Sequence, residues 1–386
     1  MAGHKTGKMS TGSNINHSTR NLLHQPVSST WKCPLRKQRC MKFEAVTIKD
    51  IAKALGLSTS TVSRALRDSY EISPETKQMV LEYAKQINYR PNPIALSLKE
   101  RRSRSIGVII SEIANSFFSQ IINGIESIAY SKGYNVIISQ SRESYEREVI
   151  NVDFLASRSV DGFLISVSTE TKDFTHITDL YERGLPIVFV DRMIAAIDTH
   201  KVIADNFKGA YDATTHLIKN GYKRIAHLAN SEYLSITKER AAGYRKALED
   251  AHMEFNPDYV QHCLHGGMIY DEVDKAMNEF MNRKHKPDAI FASADKLTTN
   301  CMRYCRAKGI AIPNSLGVVG FSNLDLTELL SPSLSVVRQP AFEMGEVAAE
   351  LLIKTIESKR PLMEFETRVL PAELFIRESS ARKKRR

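Results

Sequence analysis

The sequence predicts a small all-α module followed by a larger α/β body in two lobes built on doubly wound parallel sheets. Three observations carry this reading. Residues 46–87 space their apolar side chains at intervals of three and four, the period of helices. From Ile106 onward, apolar runs of strand length alternate with helical stretches, the rhythm of parallel sheets covered on both faces. The charge is also divided: residues 1–45, 46–105 and 381–386 carry +7, +5 and +5, while 106–380 carry −7, within a total of +10. Basic ends on a mildly acidic body suit a polyanion-binding head attached to a domain with another task. The same ends also suit simple solvation.

Residues 1–45 lack apolar periodicity and are rich in Ser, Asn, His and Lys, so a disordered basic extension is expected there. They contain no apolar h-region, which argues against a signal peptide, and Met41 offers a second candidate start. The all-α module is expected over 46–90. Its first helix spans Ile48–Leu55: Thr47 and Asp50 give the start signal, Ile48, Ile51, Ala52 and Leu55 one apolar stripe, and Gly56 the stop. A second helix runs from Thr59 to Leu66 with Ser58 as N-cap and Val62 and Ala65 or Leu66 facing inward. A third starts after Ser73 with Pro74 in its first position and turns Val80, Tyr83, Ala84 and Ile87 to the core. Asn88–Pro93 breaks it, and a hinge and charged linker occupy 91–105.

In the body, expected over 106–378, strands are predicted at 106–110, 136–139, 162–167, 186–190, 224–229, 289–293 and 317–321, with helices at 118–131, 211–219, 239–250 and 298–308. Ligands of such sheets gather at the carboxyl ends of the strands. Residues 379–386 are expected to be a basic tail.

Two short helices joined by a tight glycine turn fit a helix-turn-helix. The second is polar on its outer face, with Thr59, Ser60, Ser63, Arg64 and Arg67. Small hydroxyls let a helix sink into the major groove, Ser58 and Thr61 near its start suit phosphate oxygens, and Arg64 suits guanine O6 and N7. A small amphipathic bundle without nucleic acid fits the same pattern. Five scattered cysteines, an odd number, argue against a disulfide framework and fit a reducing cytoplasm. Cys301 and Cys305 share a helix face without a second metal-ligand pair nearby, so core packing is expected, with no metal or cofactor. No apolar run reaches the length of a membrane span.

The stretch Val46–Leu66, VTIKDIAKALGLSTSTVSRAL, closely resembles the headpiece of the lactose/galactose repressor (LacI/GalR) family, whose pattern reads roughly VT-x-x-D-[VI]-A-x-x-[AL]-G-V-S-x-x-T-V-S-R. Later segments resemble it too: Asn88-Tyr89-x-Pro91-Asn92, Ser105-Ile106-Gly107-Val108, Val319-Gly320-Phe321 and Pro332-x-Leu334-x-x-Val337-x-Gln339-Pro340. The resemblance implies a cytoplasmic, nucleoid-associated, sequence-specific transcriptional regulator, with repression the expected mode. Its partners would be a pseudo-palindromic operator, a small-molecule effector of sugar type and a second copy of the chain. Thr59, Ser60 and Arg64 match base-reading positions. Ser58, Thr61, Ser63 and Asn92 match phosphate-contacting or positioning ones, Thr47, Arg67 and Ala95 are expected at the DNA beside them, and Leu98 matches a hinge leucine that wedges into the minor groove. A hinge of five or six residues is too short to be helical alone, which suits order–disorder control. The body resembles a periplasmic sugar-binding protein, two lobes joined by three crossings, and Phe118, Asp191, Arg192, Arg240, Asp295 and Asn323 match its cleft. Such groups suit a polyol: carboxylates accept adjacent hydroxyls, arginine donates and an aromatic covers an apolar sugar face. Ser322-Asn323 and Ala294 depart from the family pattern by offering fewer polar groups. The C-terminus lacks heptads, so a dimer is expected rather than a tetramer. An enzyme is the competing class, but no dinucleotide fingerprint, P-loop, nucleophile elbow or H-E-x-x-H occurs.

Overall fold

The computed structural model describes residues 46–90, 102–360 and 364–382. The chain forms two compact units that divide after Arg90.

The first unit holds α1 (Ile48–Leu55), α2 (Thr59–Ala65) and α3 (Pro74–Gln86). Its ends follow the sequence signals. The Asp50 carboxylate accepts the Thr47 N–H at 2.8 Å, and Gly56 takes the left-handed conformation at φ 67 that closes α1. Ser58 Oγ accepts the Thr61 N–H at 3.0 Å, and Ser73 Oγ that of Thr76 at 3.3 Å. Ile51, Ala52, Val62, Ala65, Val80 and Ala84 form the core, with Leu66 only half-buried.

The second unit contains two six-stranded sheets. Lobe 1 orders its strands β11 (Thr367–Leu370), β5 (Lys201–Ala204), β4 (Ile187–Val190), β3 (Gly162–Ile165), β1 (Ser105–Ile110) and β2 (Asn135–Gln140). Lobe 2 orders β12 (Glu373–Phe375), β10 (Ser335–Arg338), β9 (Gly317–Phe321), β8 (Ala289–Ala292), β6 (Ile225–Ala229) and β7 (Val260–His262). Among the described residues every pairing is parallel except β10 with β12. The chain crosses between lobes three times, after Ala204, after Arg338 and after Leu370.

All seven expected strands are present, shifted by two residues at most. The five others, β5, β7, β10, β11 and β12, have three or four residues each and too little pattern to stand out. The expected helices are α4 (Ser116–Ser131), α7 (Asn206–Lys219), α8 (Ser235–Asp250) and α10 (Asp295–Ala307), each starting two to five residues earlier than predicted. The described residues of the body hold four more: α5 (Tyr145–Ser157), α6 (Thr175–Glu182), α9 (Tyr270–Met281) and α11 (Ala341–Glu357).

Helix pairs α4/α11 and α7/α8 pack backbone to backbone. A Cβ on Gly124 would lie 2.0 Å from the Phe342 carbonyl oxygen, one on Gly345 2.2 Å from that of Ile121, and one on Gly243 2.2 Å from that of Phe207. Cys301 and Cys305 are free thiols inside the lobe 2 core, as their shared helix face suggested. One boundary is corrected. Ser379 and Ser380, expected in the tail, are fully buried: Ser379 Oγ–H donates to the Val318 carbonyl at 2.7 Å, and Ser380 Oγ lies 2.7 Å from His216 Nε2. Their small hydroxyls cap lobe 2 from within, so the folded body runs past 378.

Candidate DNA-reading helix and ligand cleft

On the first unit, α2 presents Thr59, Ser60 and Arg64 to solvent, with Thr61 and Ser63 half-buried. Ser58 Oγ lies 2.7 Å from Ser60 Oγ and 2.8 Å from Thr61 Oγ1, so the hydroxyls expected at phosphates form one cluster at the N-terminus of α2. Arg67, in the turn that follows α2, folds back onto the helix: Nε donates to the Ser63 carbonyl at 3.0 Å and Nη2 to Ser63 Oγ at 3.1 Å. Arg64 instead meets Glu71 in the turn before α3, Nη1 to Oε2 at 2.9 Å. The Thr47 hydroxyl donates to Asp50 at 2.8 Å. Asn92, Ala95 and Leu98 lie outside the described residues.

In the second unit, all six expected cleft residues meet between the lobes. Phe118, Asp191, Arg192, Arg240, Asp295 and Asn323 line one cavity together with Asn115, Phe117, Asn230, Ile236, Ala294, Phe321, Ser322 and Gln339. The strands place them there. Asp191 and Arg192 follow β4, Phe321 ends β9 and Asp295 opens α10 just beyond β8, so carboxyl ends from both sheets face one gap. The free space is about 50 Å³. Ligand pockets usually offer about 300–1,000 Å³. The lobes are therefore closed, and a sugar-sized molecule requires them to part.

The polar groups are not equally available. Burial pushes the Asp191 carboxyl above its usual range, offset in part by Arg192 and Arg240. Asp191 sits at φ 65, a left-handed conformation uncommon for a residue with a side chain. Burial likewise raises Asp295, offset in part by the Ser322 hydroxyl, which donates to its Oδ1. Burial lowers Arg240 to about 10. Arg240 stacks over Phe321 at 3.8 Å, donates from Nη1 to the Ser293 carbonyl at 2.5 Å and from Nε to Asn206 Oδ1 at 2.9 Å.

Two expectations change in detail. Arg192 gives its fork to Glu143, Nη1 to Oε2 at 2.6 Å and Nη2 to Oε1 at 2.9 Å, and Nη1 also donates to the Val167 carbonyl at 3.1 Å, while Nε is buried without a hydrogen-bond partner among the described residues, 3.7 Å from Asp191 Oδ2. Burial pushes the Glu143 carboxyl up, but the Arg192 charge and its hydrogen bonds outweigh that and hold it below the usual range. Asn323 bridges the lobes instead of offering a free amide. Its Nδ2 donates to Gln120 Oε1 and to the Gln339 carbonyl, both at 2.8 Å, and its Oδ1 accepts the Gln339 N–H at 3.0 Å. Asn323, two residues past β9, is tied to Gln339 at a lobe crossing and is close enough to Gln120 on the facing helix to act as a strut. Glu143 and Gln120 carry no local signal in the sequence, because their roles depend on loops brought together from separate strands. Asn115 carried one, as the N-cap of α4.

Residues 103–376 match the family described as periplasmic binding proteins and sugar binding domain of LacI family, and residues 47–92 match bacterial regulatory proteins, lacI family. The chain belongs to the LacI family. It is a DNA-binding transcriptional regulator with a small-molecule-binding body. Among its relatives, the HTH-type transcriptional repressor PurR of Vibrio cholerae serotype O1 (strain M66-2) is 33% identical over 81% of this chain and 92% of its own length. CytR of Escherichia coli (strain K12) is 31% identical over 87% and 96%. A solved complex of the transcriptional regulator CelR with cellobiose is 30% identical with TM-score 0.65, covering 86% of this chain and 99% of that one. The Lac repressor dimer bound to operator and the anti-inducer ONPF shares the fold, with TM-score 0.72 at 23% identity over 87% and 99%.

Proposed function

We propose that this LacI-family protein is a repressor that binds a pseudo-palindromic operator as a homodimer in the cytoplasm, and that a small polyol-like effector in the interlobe cleft sets its affinity. The observation that carries the sensing half is the convergence of Asp191, Asp295 and Arg240 with Phe118 and Phe321 in one closed gap. Two buried carboxyls with raised pKa favour hydroxyl donors, and the aromatic faces favour an apolar ring surface. The cellobiose bound by CelR supports a carbohydrate. In the reading half, Thr59, Ser60 and Arg64 contact bases, while Thr47, Ser58, Thr61, Ser63 and Arg67 set phosphate contacts or helix position. The family resemblance adds Asn92, Ala95 and Leu98. Among the described residues no helix is long and apolar enough to cross a membrane. The named relatives are transcriptional repressors, and we read this chain too as a regulator without catalytic activity.

The test is selection of duplexes from a random pool by the full-length protein, followed by affinity measurement with panels of mono- and disaccharides and of nucleosides. A consensus with two half-sites, and an affinity that responds to one sugar class, is the expected result. Recovery of no consensus refutes the regulator reading, and a response to nucleosides alone refutes the carbohydrate.

A further inference from the structure

The Arg64–Glu71 pair lies on the exposed face of the first unit, with side chains 53% and 43% exposed. Glu71 is not on a loose loop. Its turn is held by the Ser69 N–H donating to the Arg64 carbonyl at 3.1 Å, by the Ile72 N–H donating to that of Ser69 at 3.3 Å, and by Lys77 Nζ against Asp68 Oδ1 at 2.8 Å. Ile72 packs against the helical core beside it.

We propose that Glu71 is a positioning residue for Arg64, a carboxylate that sets which edge of the guanidinium enters the groove. This rests on the reading of Arg64 as a base contact. Arginine presents five donors in a rigid planar fork. Glu71 engages Nη1, so the Nε–Nη2 edge remains for guanine O6 and N7. An exposed ion pair adds little stability by itself. Its effect is on order: a long flexible side chain loses rotamer freedom when it reads a base, and a neighbouring carboxylate removes part of that freedom beforehand. A negative charge on a DNA-facing surface otherwise weakens binding to every sequence through phosphate repulsion. Glu71 therefore trades general affinity for discrimination at one base pair.

The experiment uses the full-length protein and the duplex recovered by selection from a random pool, with every single-base variant of it. Affinities are measured for the native protein, R64A, E71Q, E71D and the R64A/E71Q double variant. R64A is expected to flatten preference at one position. E71Q is expected to raise affinity for all duplexes while lowering preference at that same position by about 3–10-fold, the scale of part of one bidentate contact. E71D should restore some of the lost preference, and the double variant should discriminate no worse than R64A. An unchanged preference ratio in E71Q beside a flattened R64A overturns the positioning role alone. A loss at a different position also overturns it, because Glu71 then reads a base itself. Preferences left intact by R64A overturn the base-reading role of Arg64 and the positioning role with it.

Discussion

Arg64 lies in α2 and Arg67 in the turn just after it, three residues on, and their surroundings differ. Arg67 is bonded along α2 to Ser63, whereas Arg64 projects toward Glu71. Arg64→Ala should therefore cost about 1–3 kcal/mol at one base position. Arg67→Ala should weaken binding about equally on all sequences and reduce the salt slope by about 1. Competitive binding at two salt concentrations separates the two patterns, and a base-specific loss in Arg67→Ala would contradict the assignment. A second residue-scale prediction concerns His227. It is fully buried, stacked on Phe291 at 4.8 Å, with Nδ1 3.2 Å from the Phe291 carbonyl and Nε2 buried without a partner among the described residues. Burial lowers its pKa from 6.5 to about 3. The folded state thus holds the ring neutral. Its contribution to stability is complete above pH 6.5 and declines as pH falls toward 3, by about 1.4 kcal/mol per pH unit. His227→Phe should flatten this acid dependence in a near-ultraviolet circular dichroism titration, whatever its effect at neutral pH.

At the scale of elements, the helix pairs depend on missing side chains. Gly124 and Gly345 let α4 and α11 approach until a Cβ would collide with backbone. Backbone cannot move aside as a flexible side chain does, so Gly124→Ala should destabilise the body by about 1–3 kcal/mol or more. Gly133, at φ 72 with open space around it, provides the control: alanine there is penalised only for its left-handed backbone. Thermal unfolding of both variants checks this, and equal losses would show that the close approach is not the cause. Most of the missed strands and helices belong to this scale as well. Short strands such as β5, buried at all four residues, and β10, buried at three with Arg338 half-buried, offer too few positions for a period to be recognised.

At the scale of the molecule, closure of the body is maintained by contacts between the lobes. Asn323 with Gln120, Asn115 with Asp295 at 3.3 Å, Lys296 with Glu112 at 3.4 Å and Lys172 over the Tyr233 ring at 4.3 Å all span the gap. Removing the Asn323–Gln120 strut should matter most, because the more solvated Lys296–Glu112 pair contributes little. Asn323→Ala with Gln120→Ala is expected to open the cleft without any ligand, seen as a larger radius of gyration by small-angle scattering. Glu112→Gln should leave the radius unchanged. The reverse ranking would place closure at the rim.

The reading helix was legible in the chain because its determinants are local. Caps, glycine stops and a short apolar period act within a few residues, and the family pattern repeats them from Val46 to Leu66. The cleft was legible only as a set of positions. That Arg192 is held by Glu143, that Asn323 bridges the lobes, and that Ser380 lies inside lobe 2 depend on contacts between residues 49, 203 and 164 positions apart. Availability for a ligand is decided by which hydrogen bonds the folded chain has already made. Only the packing of strands from distant segments determines those bonds.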